Sequence, residues 1–221
     1  MVKAFRRIRS TLADTWHRRR AELVLRRKAS QLHRRGEMLK VVIGAGGILT
    51  EGWLVTDISV LNALELVDWL VAFPRASIDR ILAEHVVEHW TQEELRRFLR
   101  IVRSFLSADG FVRVAVPDGF HPELSYRELV RPGGTGEGAD GHKVFYDYLS
   151  LTDLVSQEHY CYRLLEHFDE KGQFHRSPYK IEDGPVRRSA EHDPRNRTCP
   201  LSYTSLILDV WPQGRECGSR A

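Results

Sequence analysis

The chain has 221 residues, 42% of them hydrophobic and 29% charged, which is enough apolar material for one well-filled core and excludes a transmembrane helix, since no apolar run reaches about 18 residues. Its net charge of +3 conceals an asymmetry: residues 1–40 hold 13 Lys and Arg against three acids, giving +10, so the other 181 residues carry −7. Cys161, Cys199 and Cys217 are odd in number and lack metal-ligand spacing, which fits reduced thiols in a cytoplasmic protein; the first 40 residues also lack the apolar stretch of a secretory signal.

In chain order, residues 1–38 read as a basic amphipathic helical arm. Phe5, Ile8, Leu12 and Trp16 recur at three- and four-residue spacing, and no Pro or Gly interrupts before Gly36. A body over 39–212 alternates strand and helix signals. Leu39–Ile43, Trp53–Ile58, Ile78–Ala83 and Phe111–Val116 read as strands, with a helical pattern through Glu94, Phe98 and Val102 and a turn at Ala108-Asp109-Gly110. A glycine- and proline-rich stretch, 117–143, reads as a long loop. A helix around Tyr148–Glu158, a strand around Cys161–Phe168, a polar loop over 169–200 and an alternating strand Ser205–Trp211 follow. Residues 213–221 read as a flexible tail. Strands alternating with helices imply an α/β domain with a parallel sheet and right-handed crossovers.

The first strand ends in Gly44-Ala45-Gly46, where missing side chains let a ligand approach the backbone; an ordinary strand-to-helix turn looks the same. Asp57 ends the next strand, 11 residues after Gly46. Its carboxylate suits both hydroxyls of a ribose, or the capping of the following segment. A dinucleotide site requires G-x-G-x-x-G, and the third glycine is missing here, which favours a cofactor without a pyrophosphate.

The stretches VVIGAGG, GWLVTDIS, FPRASIDRILAEHVVEHWTQEE and FLSADGFVRVAVPDG together resemble the class I S-adenosylmethionine-dependent methyltransferases, in particular a bacterial group of predicted methyltransferases, over about residues 39–211. The resemblance implies a doubly wound, mostly parallel seven-stranded sheet (the Rossmann-like methyltransferase fold) with the basic helix added at its N-terminus. It further implies S-adenosyl-L-methionine as cofactor, bound by Gly44, Ala45 and Gly46 on the methionine side, Asp57 at the ribose, Asn62 and Ala63 at the adenine, and Glu84 beside the methyl donor. The acid that usually opens the glycine motif is replaced by Val41 or Val42. The implied activity is methyl transfer to a small-molecule, glycan or lipid-linked acceptor, on oxygen. The alternative is a non-catalytic adaptor of the same fold, recruited by its arm to membrane or RNA.

His85-Val86-Val87-Glu88-His89 reads H-x-x-E-H, a zinc-protease signature when both histidines share a helix face. His85 follows directly on a strand, so that geometry is not expected, and no metal is assigned. Candidate groups for activating an acceptor hydroxyl are His142, which ends the glycine-rich loop, then His85 and Asp118; His121 is a further loop histidine. Arg187, Arg188 and Arg195 suit an acidic group on the acceptor or salt bridges within their loop. The arm suits peripheral contact with an anionic membrane through residues 1–35, RNA less well, or packing on the body.

Overall fold

The computed structural model describes the backbone of residues 2–48 and 50–214, and side chains from residue 16 onward. Helix α1, Val2–Arg34, is followed by β1 (Lys40–Ile43), β2 (Leu54–Val55), α2 (Leu66–Ala72), β3 (Ile78–Glu84), α3 (Gln92–Val102), β4 (Leu106–Pro117), α4 (Leu124–Val130), α5 (Tyr148–Gln157), β5 (Tyr160–Phe168), β6 (Phe174–Arg176) and β7 (Ser205–Pro212). The strands form one sheet in the order β2-β1-β3-β4-β7-β5-β6. β1 pairs in parallel with β2 and β3, and β3 with β4, whereas β7 runs antiparallel to both β4 and β5, and β6 antiparallel to β5. Five of the seven strands, β1 to β5, therefore point the same way. The expected α/β, Rossmann-like class holds.

The helices gather on one face. Leu25 and Ala29 of α1, Trp69 of α2, Phe98 and Leu99 of α3 and Leu154 of α5 share a buried cluster with Val41, Ile43, Ile81, Val114 and Leu208. Alternation along the strands sends Val42, Leu82, Ala115, Leu165 and Ile207 to the other face, where Val186 and Tyr179 cover them. Those two belong to 177–204, irregular chain with two short 3₁₀ turns. In this respect the sheet departs from doubly wound, and the crossovers explain it. From β2 to β3, β3 to β4 and β4 to β5 the chain moves in one direction across the sheet, so right-handed connections stack α2, α3 and α5 on one side. Among β1 to β5, only the step from β1 to β2 moves the other way, and its ten residues, 44–53, are too few for a helical crossover.

Several elements lie where the sequence suggests loops. α4 falls inside 117–143 and β6 inside 169–200. The turn at Ala108-Asp109-Gly110 is instead an irregularity within β4, between the pairs Ile78↔Leu106 and Arg80↔Phe111. α1 is docked by its second half, through buried Leu25 and Ala29 and an Arg18–Asp68 ion pair of 2.8 Å to α2; the side chains of Phe5, Ile8 and Leu12 lie outside the described residues. Cys161 is disulfide-bonded while Cys199 is free and exposed, which corrects the expectation of reduced thiols at Cys161. No described helix is long and apolar enough to cross a membrane.

Candidate functional site

The chain leaves β1 toward β2 and then returns past it to β3, so the carboxyl ends of β1 and β3 bracket a topological switch point, the usual place for a ligand crevice in such sheets. A cleft of about 840 Å³ opens there. Its floor is Ile43, Gly44, Ala45 and Gly46 from the end of β1 and Glu84, His85, Glu88 and His89 from the end of β3. The glycine-rich loop contributes Gly136, Glu137 and His142, and the irregular segment contributes Arg187, Arg188, Asp193, Arg195 and Tyr203.

The glycine turn is shaped by left-handed backbone at Gly44, Gly46 and Gly47, with φ of 65°, 56° and 81°. A Cβ on Gly44 would lie 2.5 Å from Val86 Cγ2, so this position has no room for a side chain. The turn is clamped to the end of β2 by Ala45 N–H donating to Thr56 O (3.0 Å) and Thr56 N–H to Val42 O (2.9 Å). Among the described residues the Gly46 and Gly47 amides have no backbone acceptor, and of the two only Gly46 lines the cleft. No helix follows the turn. The cradle is one of bare amides without a helix dipole, which corrects the strand-to-helix expectation.

Asp57 directly follows Thr56, so its backbone adjoins the clamped turn, but Asp57 itself does not line the cleft. Its Oδ1 accepts from Ser59 N (2.8 Å) and Ser59 Oγ (2.5 Å), the local capping role; Oδ2 has no hydrogen bond among the described residues. Asn62 and Ala63 do not line the cleft. The Asn62 side chain accepts from Leu64 N (3.1 Å), and the Ala63 carbonyl accepts from Trp69 Nε1 (3.0 Å). Glu84 lines the cleft, with Oε1 accepting from the Arg187 and Arg188 amides (3.0 and 2.9 Å), so that it ties the irregular segment to the end of β3.

The candidate bases separate. Asp118 is fully buried and outside the cleft lining: its oxygens accept from Phe120 N (2.9 Å) and Phe168 N (2.7 Å), and burial pushes its pKa up to about 6. It fastens β4 to β5, and the expectation of an acceptor base at Asp118 is replaced by this role. His121 likewise donates from Nε2 to Leu201 O, accepts at Nδ1 from Glu123 N and is held below the usual imidazole range by burial.

His85 and His142 do reach the cleft, and both meet Glu88, whose two oxygens are buried with no hydrogen-bond partner. The Ser205 hydroxyl spends its only proton on Arg188 O (2.8 Å), so His85 Nε2 must donate to it (2.9 Å). That leaves the His85 Nδ1 lone pair facing Glu88 Oε1 at 3.2 Å, without the alignment of a hydrogen bond. His142 donates from Nδ1 to Val130 O (2.6 Å), which leaves its Nε2 lone pair 4.0 Å from Glu88 Oε1. His89 stands edge-on to His142, ring centroids 4.7 Å apart. His85 itself has a left-handed φ of 53°, an uncommon conformation for a side-chain-bearing residue and one found where function demands it. Because β3 ends in this kink and Val87–His89 is a single 3₁₀ turn, His85 and His89 do not sit on one helix face as the protease signature requires.

The rim is cationic. Arg195 is paired with Asp193 and its guanidinium carbon lies 3.3 Å from the Tyr203 ring centroid. Arg187 and Arg188 are exposed, and among the described residues neither is in an ion pair.

No family model matches the chain, and no curated protein matches it. Among solved structures it is similar to a SAM-dependent methyltransferase from Archaeoglobus fulgidus, at 16% identity over 86% of this chain and 92% of that one, with a TM-score of 0.42. It is similar to the YcgJ protein of Bacillus subtilis at 13% identity over 84% and 98% of the two chains, TM-score 0.39. It is also similar to the mitomycin 7-O-methyltransferase MmcR at 16% identity, covering 87% of this chain and 52% of that one, TM-score 0.45.

Proposed function

We propose that the chain is an S-adenosylmethionine-dependent methyltransferase acting on a hydroxyl of a small-molecule, glycan or lipid-linked acceptor that carries an acidic group. The observation that carries this is the cradle at the switch point: a turn with no room for a Cβ at Gly44, a Gly46 amide without a backbone acceptor among the described residues, and Asp57 next in sequence to the Thr56 that clamps the turn. When bound, the cofactor supplies an electrophilic methyl group on a sulfonium. The chain's own residues do the rest. Gly44, Ala45 and Gly46 bind the methionine side, and Asp57, through Oδ2, accepts from the ribose. Arg187 and Arg188 hold the acidic group of the acceptor at the rim. His142, its neutral tautomer fixed by Val130 O, carries an Nε2 lone pair to take the hydroxyl proton, and Glu88 Oε1, 4.0 Å from that same nitrogen, holds the resulting charge. Asn62 and Ala63, like Asp57, are not among the residues lining the cleft, and no adenine contact is assigned to them.

Calorimetric titration with S-adenosylmethionine tests the proposal. The wild type is expected to bind one equivalent, and Asp57→Ala to lose at least one ribose hydrogen bond, weakening binding by roughly ten- to a hundredfold. No heat with the wild type removes the proposal.

The arm is proposed to lie on anionic lipid. Trp16 is 58% exposed, and Leu23 and Val24 are also exposed, among Arg19, Arg20, Arg26 and Arg27. Sedimentation with phosphatidylglycerol vesicles is expected to carry the protein down at low salt, and Trp16→Ala to reduce the bound fraction; equal pelleting with phosphatidylcholine would exclude the electrostatic component.

A further inference from the structure

Acceptors without hydrogens crowd one point of the cleft floor. Glu88 is 1% exposed and both its oxygens lack a hydrogen bond. His142 Nε2 and His85 Nδ1 face it, and in the neutral form of each ring, whose tautomer is set by the bond on its other nitrogen, both present a lone pair. Buried acceptors that face one another repel unless something positive stands between them. No described Lys or Arg pairs with Glu88; its only ion-pair contacts are these two histidines.

We propose that Glu88, His89 and His142 bind a divalent transition-metal ion, of the class that takes two imidazoles and a carboxylate, zinc being the best-suited member. Their ligand atoms lie within 4.8 Å of one another, close enough to converge by side-chain adjustment. Two imidazoles and one carboxylate are a donor set for zinc or for iron(II)-type ions. The contact from His142 Nδ1 to the Val130 carbonyl is the outer-sphere bond that commonly orients a ligating histidine and fixes which nitrogen is free. His85 stands outside the trio and, with Nδ1 toward Glu88 Oε1, is a positioning residue for the carboxylate. All three ligands line the cleft, so a remaining coordination position opens toward the acceptor. There the ion would lower the pKa of a coordinated hydroxyl, whose proton would leave to bulk water at the open cleft, so that His142 serves as a ligand and not as the base. The location of the reacting hydroxyl rests on the methyltransfer proposal; the binding of the ion does not.

Cobalt(II) and zinc(II) titrations of the full-length protein test this, read by the visible d–d bands of cobalt and by calorimetry. One equivalent is expected, with zinc displacing cobalt. Glu88→Gln keeps the shape and removes the charge, and His89→Ala removes a ligand whose side chain makes no hydrogen bond among the described residues. Each is expected to weaken uptake by about tenfold or more, while His175→Ala, on the far edge strand, leaves it unchanged. Uptake well below one equivalent by the wild type overturns the proposal, and so does equal uptake by a folded Glu88→Gln or His89→Ala protein. Asp57→Ala separates the two proposals, since it is expected to lose S-adenosylmethionine and keep the metal.

Discussion

Gly44→Ala is expected to abolish measurable S-adenosylmethionine binding while leaving the protein folded. Two costs act together. A left-handed φ costs a non-glycine residue about 1–2 kcal/mol, and the new methyl must displace Val86, whose Cγ2 is 2.5 Å from it. Val86 immediately precedes the 3₁₀ turn bearing Glu88 and His89, so relief of the clash moves the cleft floor as well as the cradle. Gly36→Ala is the control: its φ is also 65°, but no atom lies within 4 Å of the new Cβ, and it sits between α1 and β1. That variant carries the backbone strain alone and is expected to bind normally. Calorimetry on both separates strain from displacement. Normal binding by Gly44→Ala would show that the cradle does not hold the ligand.

Arg113→Met is expected to produce the largest loss of stability of any single change considered. Arg113 of β4 is 1% exposed and faces Asp209 of β7 in direct register, with Nε and Nη2 donating to the carboxylate at 2.8 and 2.9 Å. Its Nη1 also donates to the Lys180 and Gly184 carbonyls, both at 2.9 Å. Methionine would strand a buried carboxylate and two carbonyls, a loss of about 3–5 kcal/mol, or a Tm lower by roughly 6–20 °C. Burial pushes the Asp209 carboxyl up, a push that Arg113 opposes. Without the arginine, the folded-state pKa rises further above that of the unfolded chain. The variant's deficit therefore grows as pH rises through that raised value and shrinks in acid, where Asp209 is protonated. Arg113→Met with Asp209→Leu should recover much of the loss, because no orphaned charge remains. Thermal melts at two pH values check all of this, and a pH-independent deficit would exclude the stranded carboxylate as its source.

The strands were legible where burial on both faces leaves a mostly apolar run, unbroken in Val41–Ile43, interrupted by Arg113 in Phe111–Val116 and by Asp209 in Ser205–Trp211. β6 was not, because a three-residue edge reading Phe-His-Arg carries no period, and α4 was hidden by the glycines that follow it. The one-sided stacking of helices was latent in connection lengths, since ten residues between β1 and β2 leave no room for a crossover helix. At the site, Gly44, Ala45, Gly46, Glu84, His85 and His142 all reach the cleft, because strand ends and loop ends can be located by pattern. Asp118 looked equally suitable in sequence, and only its two backbone N–H donors, one of them 50 residues away on Phe168, reveal a fastening role. The meeting of Glu88 and His89 with His142 had no local signal. It depends on a loop 53 residues further on being pinned through Lys143 N–H to Glu88 O at 2.7 Å.

One consequence of the irregular cover remains for how molecules come and go. Residues 177–204 form a wall of the cleft with Arg187, Arg188 and Arg195, and the same stretch keeps Val42, Leu82 and Ile207 dry beneath Val186 and Tyr179. Swinging it outward would wet those aliphatic groups, at about 1.5–3 kcal/mol for each large one. Glu84 and Arg113 further rivet it to the sheet. Traffic through the mouth is thus left to the long, exposed rotors of Arg187 and Arg188, which turn in nanoseconds or less, and the doorway behaves as a turnstile of side chains set in a fixed frame.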